Sequence, residues 1–498
     1  MKLSEYVDYD ATGLASLVKS KQVTPVELIR LAREACNEVN PHINAVIEFY
    51  DDAETVPASD FGLFNGVPFL RKDLGVAEAG RFQERGSRLF EGSRTNFDSN
   101  FIRRARAGGL RCVGRTTTTE LGTSGLSEST LNGITGNPWH LERSAGGSSC
   151  GAAAAVAAGI APIASAGDGG GSIRTPAAWC GLVGLNPSRG RISGGPNNQD
   201  AAFGLARHFV VCRTVRDMAA ALDVFSGPQP GDPFIIVQPN RPYFEELSQE
   251  TGTLRVGVAL SRWGELDVAP DVLAAVQSVA ALFEAMGHQV EEIAPPYQTH
   301  DYSKILLGMS DLNASSLAAA AQAMGRRIST DTLEPMNLKL YERGRDLPLS
   351  TAADLHEAIR RMRLDVAEAI DGYDILLTPT MPTVAVPHGC NYSTISSELS
   401  PEEFMEADAA FYQHLGVFNV TGNPSVSLPL ATSAAGLPIG LQLVGRLGDE
   451  ATLVRVARDL EIARPWSRLR PGVRAGASCL SAWETVGETN SSYLSRLG

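Results

Sequence analysis

Leu28, Leu31, Ala32 and Ala35 recur at the i, i+3, i+4, i+7 spacing of a single helix face. Thr24, Pro25 and Glu27, just ahead of them, supply the hydroxyl cap, first-turn proline and returning carboxylate that open a helix. The spacing predicts a helix whose apolar stripe packs on the main body. After a connection containing Pro, Ser and Gly at residues 55–66, the pattern changes to short apolar runs. Residues 67–70 form one such run and end in Arg71, Lys72 and Asp73, which predicts a buried strand with charges at its end. A helix over 100–107, the pair Gly108 and Gly109, and a strand over 111–113 begin an alternation of helix and strand.

The alternation resumes further on. Strands are expected at 255–260 and 289–293 around a helix at 272–286, and again at 375–377, 426–428 and 439–444. Residues 300–365 carry helical patterning without strong strand signals, as a cap or insertion would. Strands on both sides of that segment are needed to complete one sheet, so the reading is a single α/β domain over residues 1–498. Within it lie an N-terminal helical segment at 1–65, a motif-bearing core at 66–200 and the helical segment at 300–365 near the substrate cleft.

Composition narrows the class. With 43% hydrophobic and 20% charged residues the chain is an ordinary globular protein, neither disordered nor fibrous. A formal charge of -13 without a block of like charge disfavours nucleic acid and anionic membrane as partners and suits a small uncharged or cationic substrate. The seven scattered cysteines include no CxxC pair, which argues for reduced thiols in a cytoplasm rather than disulfides or zinc. The start MKLSEYVDYD has acidic residues where a signal peptide needs a basic start, so no export is expected. The long uncharged run at 146–166 is Gly, Ser and Ala broken by Pro162, too weakly apolar for a membrane span.

The chemistry concentrates in two stretches. Residues 143–159, RSAGGSSCGAAAAVAAG, put two glycines before Ser148 and Ser149 and then an alanine run that predicts a thin buried helix approached closely by something else. Residues 167–176, GDGGGSIRTP, place Gly169, Gly170 and Gly171 directly before Ser172, where free backbone N–H groups can stabilise an oxyanion.

With the GVPFLRKD stretch that carries Lys72, these motifs resemble the amidase signature family, whose pattern is a GGSS(G/S)G run followed by a D(T)GGSIR run. The two serines stand 24 residues apart, the usual separation, and Asp168, Ile173, Arg174, Pro176 and Gly181 also match. The likeness continues through GLNPSRGRIS at 184–193, NVTGNPSVSLP at 419–429 and GLPIGLQLVG at 436–445, and so covers most of the chain. It implies a mixed, largely parallel sheet surrounded by helices. Ser172 would be the nucleophile, Ser148 a bridging residue on a cis peptide, and Lys72 the ultimate base, with Gly169, Gly170 and Gly171 as the oxyanion hole. Asp168, Arg174 and Ser149 would brace the site, and Ser124, Gly125 and Leu126 would meet the substrate. Lowering a lysine from about 10.4 to roughly 7.5 corresponds to on the order of 4 kcal/mol, which burial can supply. No cofactor or metal is implied. Cys150 and Gly169 depart from the common pattern and bear on substrate range.

Rival readings are weaker. Gly147 to Gly151 also satisfies GxSxG, with Ser149 as nucleophile, but NPWHLERSAG ahead of it is not the apolar strand that elbow needs. Cys150 as a thiol nucleophile is a further alternative. GDGGGSIR lacks the GK[ST] ending of a phosphate loop, and the eight histidines show no metal-binding spacing. The expected function is hydrolysis of a carboxamide through an acyl-serine. A urethane or ester hydrolase with the same residues, and an amidotransferase subunit serving a tRNA-modifying partner, stand as alternatives.

Overall fold

The apolar runs of the chain come together in one sheet. The structure, a computed structural model, describes residues 1–348 and 350–477. In chain order the strands are β1 (Val46–Phe49), β2 (Pro68–Lys72), β3 (Arg111–Thr116), β4 (Ile163–Asp168), β5 (Val183–Asn186) and β6 (Arg207–Cys212). The second half adds β7 (Arg255–Val258), β8 (Gln289–Glu292), β9 (Ile375–Pro379), β10 (Ser425–Thr432) and β11 (Pro438–Gly445). Across the sheet they lie in the order β1, β3, β2, β4, β6, β5, β10, β11, β9, β7, β8, giving 11 strands among the described residues.

The sheet is mixed, but it is not largely parallel as the resemblance implied. Parallel pairing is confined to two blocks, β2 with β3 and β4, and β7 with β8 and β9. Every other pairing is antiparallel. A short turn at 433–437 lets β10 and β11 fold back on each other, whereas parallel neighbours need a crossover. β2, β9 and β11 are buried at every position, which explains why they read as continuous apolar runs instead of alternating.

Helices clothe the sheet. α1 (Pro25–Ile43) opens with the expected capping box: Glu27 donates its N–H to Thr24 Oγ1 at 3.2 Å, and the Thr24 N–H donates to Glu27 Oε2 at 2.7 Å. Its stripe of Leu28, Leu31, Ala32 and Ala35 is buried. The N-terminal segment is not wholly helical, because β1 closes one edge of the sheet. α2 (Cys150–Ala157), the alanine run, is buried along its whole length against β2 and β4. α3 (Arg174–Cys180) follows β4 across the glycine-rich turn. The 300–365 segment corresponds to α4 (Thr299–Ala323), α5 (Pro335–Gly344) and α6 (Ser350–Ile370), followed later by α7 (Pro401–Phe411) and α8 (Gly416–Thr421).

The close approach expected at α2 falls on Gly151. A Cβ there would stand 2.3 Å from the Ala45 carbonyl oxygen and 2.5 Å from the Thr117 nitrogen, both backbone atoms that cannot yield. An alanine in an open helix interior is normally favoured over glycine by about 1 kcal/mol. Here the sign reverses: Gly151→Ala is expected to destabilise the protein by about 1 to 3 kcal/mol. Urea denaturation checks this, and an unchanged or raised midpoint would contradict the packing described.

Candidate active site

Lys72 is the last residue of β2, and the strand carries it into the interior, where it is 2% exposed. Its backbone N–H donates to Ser165 Oγ at 2.7 Å, tying the end of β2 to the neighbouring β4. The side chain reaches the start of α2. Nζ lies 2.8 Å from Ser148 Oγ and 2.9 Å from Ser149 Oγ, as donor to both, with the Gly167 carbonyl at 3.5 Å. No carboxylate oxygen lies within ion-pairing distance of it among the described residues. Burial drives its pKa down, and the more distant Cys150 and Asp168 only partly oppose this, leaving it at about 7. The amine is therefore about half uncharged near neutrality.

The glycines before Ser148 exist for approach. A Cβ at Gly147 would come within 2.6 Å of the Ser124 and Leu126 carbonyl oxygens, and Gly147 donates its N–H to Gly125 O at 2.6 Å. The Gly147–Ser148 peptide is cis, and Thr118 Oγ1 donates to the Ser148 carbonyl at 2.9 Å. Ser149 does more than brace: its hydroxyl touches both Lys72 Nζ and the Gly167 backbone, accepting from the Gly167 N–H at 3.2 Å.

The second serine loop is held from behind by a buried ionic knot. Arg174 Nε and Nη2 donate to Asp168 Oδ2 and Oδ1, each at 2.9 Å, in a two-pronged pair with neither side chain exposed. The remaining Arg174 donors go to Gln442, Ser425, Asn419 and the Leu415 carbonyl. Asp168 Oδ2 also accepts the Ile173 N–H at 3.1 Å, so this carboxylate turns the chain into α3. Burial alone would raise the Asp168 carboxyl, but the Arg174 charge and these hydrogen bonds outweigh it and hold it at about 2. Between Asp168 and α3, the Gly169, Gly170 and Gly171 N–H groups donate to no acceptor among the described residues. Gly171 has φ 150° and a Cβ there would strike Leu415 and Tyr412, so glycine is required; at Gly169 the nearest atom would be 3.6 Å away and a side chain would fit.

A cavity of about 400 Å³ joins these parts. Lys72, Ser148, Gly169, Gly170, Gly171 and Ser172 line it, as do Ser124 and Gly125. Leu126 does not; it lies in an apolar cluster with Trp179 and Phe411. Ser172 makes no side-chain hydrogen bond among the described residues and opens to the cavity. Leu306, Met309 and Asn313 of α4, and Tyr412 after α7, also line the cavity.

Two lining residues had no signal in the sequence. His208 of β6 is pushed by burial to about 4 and stays neutral, and Asp408 of α7 is raised by burial to about 7 while accepting the Tyr392 hydroxyl. A lone histidine in a strand and one acid in the acidic run PEEFMEAD cannot be singled out from spacing. Cys150 lies behind Ser148, packed against Thr117 Oγ1 at 3.6 Å, and burial raises its thiol further from reactivity. No grouping of three or more His, Cys, Asp or Glu among the described residues suits a metal ion, and no helix among them is long and apolar enough to cross a membrane.

Two serine hydroxyls thus meet a buried lysine beside a glycine-rich turn, on a mixed sheet of 11 strands among the described residues. The Amidase family model matches residues 27–454. The 6-aminohexanoate-cyclic-dimer hydrolase of Paenarthrobacter ureafaciens is 36% identical over 476 residues, covering 93% of this chain and 96% of the relative. A solved 6-aminohexanoate cyclic dimer hydrolase with bound substrate superposes with a TM-score of 0.85 at 34% identity, over 94% of this chain and 99% of that one. A bacterial aryl acylamidase of the amidase signature family gives 0.83 at 26% identity, over 95% and 99% of the chains. The chain belongs to the amidase signature family and is an amidohydrolase.

The Asp168 knot sets a stability test. Asp168→Asn leaves Arg174 buried without its counter-charge and is expected to cost about 3 to 5 kcal/mol at neutral pH. The carboxyl sits at about 2 against an ordinary value of 3.8, so its contribution is complete above the ordinary value and fades as pH falls towards the folded one. The gap between wild type and variant in urea should therefore narrow from about pH 5 to about pH 2.5. A gap independent of pH would show that the charge of Asp168 is not what holds the loop.

Proposed function

We propose that this amidohydrolase cleaves a carboxamide by acyl transfer to Ser172, with Ser148 and Lys72 as the proton relay. The observation that carries the reading is the amine of Lys72, fully buried at about pKa 7 and 2.8 Å from Ser148 Oγ. Uncharged Lys72 draws a proton from Ser148, Ser148 draws one from Ser172, and the freed Ser172 oxygen attacks the carbonyl carbon. The unused N–H groups of Gly169, Gly170 and Gly171 meet the oxygen as it gains charge. When the tetrahedral adduct collapses, the C–N bond breaks and Ser148 returns a proton to the departing nitrogen. Water then releases the acid from Ser172 by the same relay.

Nothing in this machinery distinguishes an amide from a urethane or an ester, because each presents the same carbonyl carbon to Ser172. The six described cysteines are free thiols, which supports placing the enzyme in a reducing cytoplasm.

The test is a panel of amides, anilides and carbamates assayed beside three variants. Ser172→Ala, Ser148→Ala and Lys72→Ala are each expected to lower kcat by roughly 10³-fold or more. A serine-directed fluorophosphonate should attach at Ser172 by mass spectrometry, and attachment at Ser149 instead, or retained turnover in Ser172→Ala, would overturn the assignment. The wild-type kcat/KM should rise with pH through a limb near 7, because below it Lys72 holds the proton it must accept. The residual rate of Lys72→Ala should lack that limb.

A further inference from the structure

Beside the catalytic cavity lies a second one of about 220 Å³. The two share Leu74, Leu121, Thr123, Ser310 and Asn313 as lining, so they are compartments of one cleft. Arg85 lines the second compartment and not the first, and is the only charged residue lining it among the described residues. Its guanidinium makes no ion pair or hydrogen bond among the described residues and lies over the Phe90 ring, its carbon 4.3 Å from the ring centre. The nearby carboxylate, Asp73, is already engaged by Arg115 at 3.1 Å and by the Glu84 N–H. The main chain at Arg85 is left-handed, with φ 56°, a region that non-glycine residues seldom occupy. Five N–H donors that cannot be deprotonated thus line the second compartment without a hydrogen-bond or ion-pair partner among the described residues.

The compartment lies on the Ser148 side of the site. A Cβ at Gly122 would stand 3.3 Å from Ser148 Oγ, and Thr123, next in the chain, lines both compartments. Under the mechanism proposed above, Ser148 returns the proton to the departing nitrogen, so the amine side of the substrate lies towards Ser148. We propose that the second compartment binds the amine portion of the substrate and that Arg85 pairs with a carboxylate it carries, which makes N-acylated amino acids, in the broad sense of amines bearing an acid group, the preferred amides. The net charge of -13 suggests an uncharged or cationic substrate, but the charge lining this compartment is positive, and the local field decides. The inference rests on the relay reading only for which half of the substrate enters; the unpaired cation is independent of it.

A matched pair tests it: N-acetyl-4-aminobenzoate against N-acetyl-4-aminobenzamide, alike in shape and differing in charge. Wild type should favour the acid by about tenfold or more in kcat/KM, mostly through KM. In Arg85→Gln that ratio should fall to within about threefold, and Arg85→Lys should keep part of it. Equal ratios in wild type and Arg85→Gln would overturn the assignment. A preference for the acid only when it is carried on the acyl half would overturn the placement on the amine side. Calorimetry with 4-aminobenzoate and 4-aminobenzamide on Ser172→Ala reads binding without turnover and applies even if Arg85→Gln does not fold. Tighter acid binding supports the site, and equal binding sinks it. Selective binding in a protein whose wild type turns over no amide would instead refute the catalytic reading and leave the carboxylate site standing.

Discussion

An amine buried without a carboxylate beside it is the constraint from which this site is built. In water Lys72 would carry its proton at any physiological pH; the interior removes the solvent that stabilises the charge, and only hydroxyls and a carbonyl replace it. Three features of the fold serve that result. β2 delivers the residue from a strand buried at every position, the turn leading into α2 presents two serines to it, and the charge of Asp168 is itself engaged by Arg174. A carboxylate in contact with Nζ would restore the lysine's proton and remove its capacity as a base.

Asp168 and Arg174 link that chemistry to the far half of the chain. The arginine takes partners from Leu415, Asn419, Ser425 and Gln442, so the turn carrying Ser172 is fastened to α8, β10 and β11. Arg207 repeats the device without an acid. Its guanidinium donates to carbonyls of α8, including Asn419 and also Phe418, which accepts the Gly422 N–H as well. The segment 416–423 therefore acts as a keystone between two buried arginines, which gives the NVTGNPSVSLP stretch a structural role.

Small residues mark where backbones meet. Gly147, Gly151 and Gly171 each stand where a Cβ would strike a neighbouring main chain or a fixed ring, and these contacts bring α2 and the second serine loop against the strands. Cys150 is accommodated because its side chain points at Thr117 and does not line the cavity.

Local chemistry made much of this legible in the chain itself. The capping box of α1, the apolar runs that became β2, β7, β9, β10 and β11, and the glycines ahead of Ser148 and Ser172 are governed by neighbours close in sequence, and their spacing survives translation into structure. Pairing direction, the edge strand β1, the place of Leu126 in an apolar cluster, and the arrival of His208, Asp408 and Arg85 at the cleft were decided only by the tertiary fold. Those properties depend on which segments meet across hundreds of residues, and desolvation, which sets the state of Lys72, is a property of the surrounding volume and not of any stretch of chain.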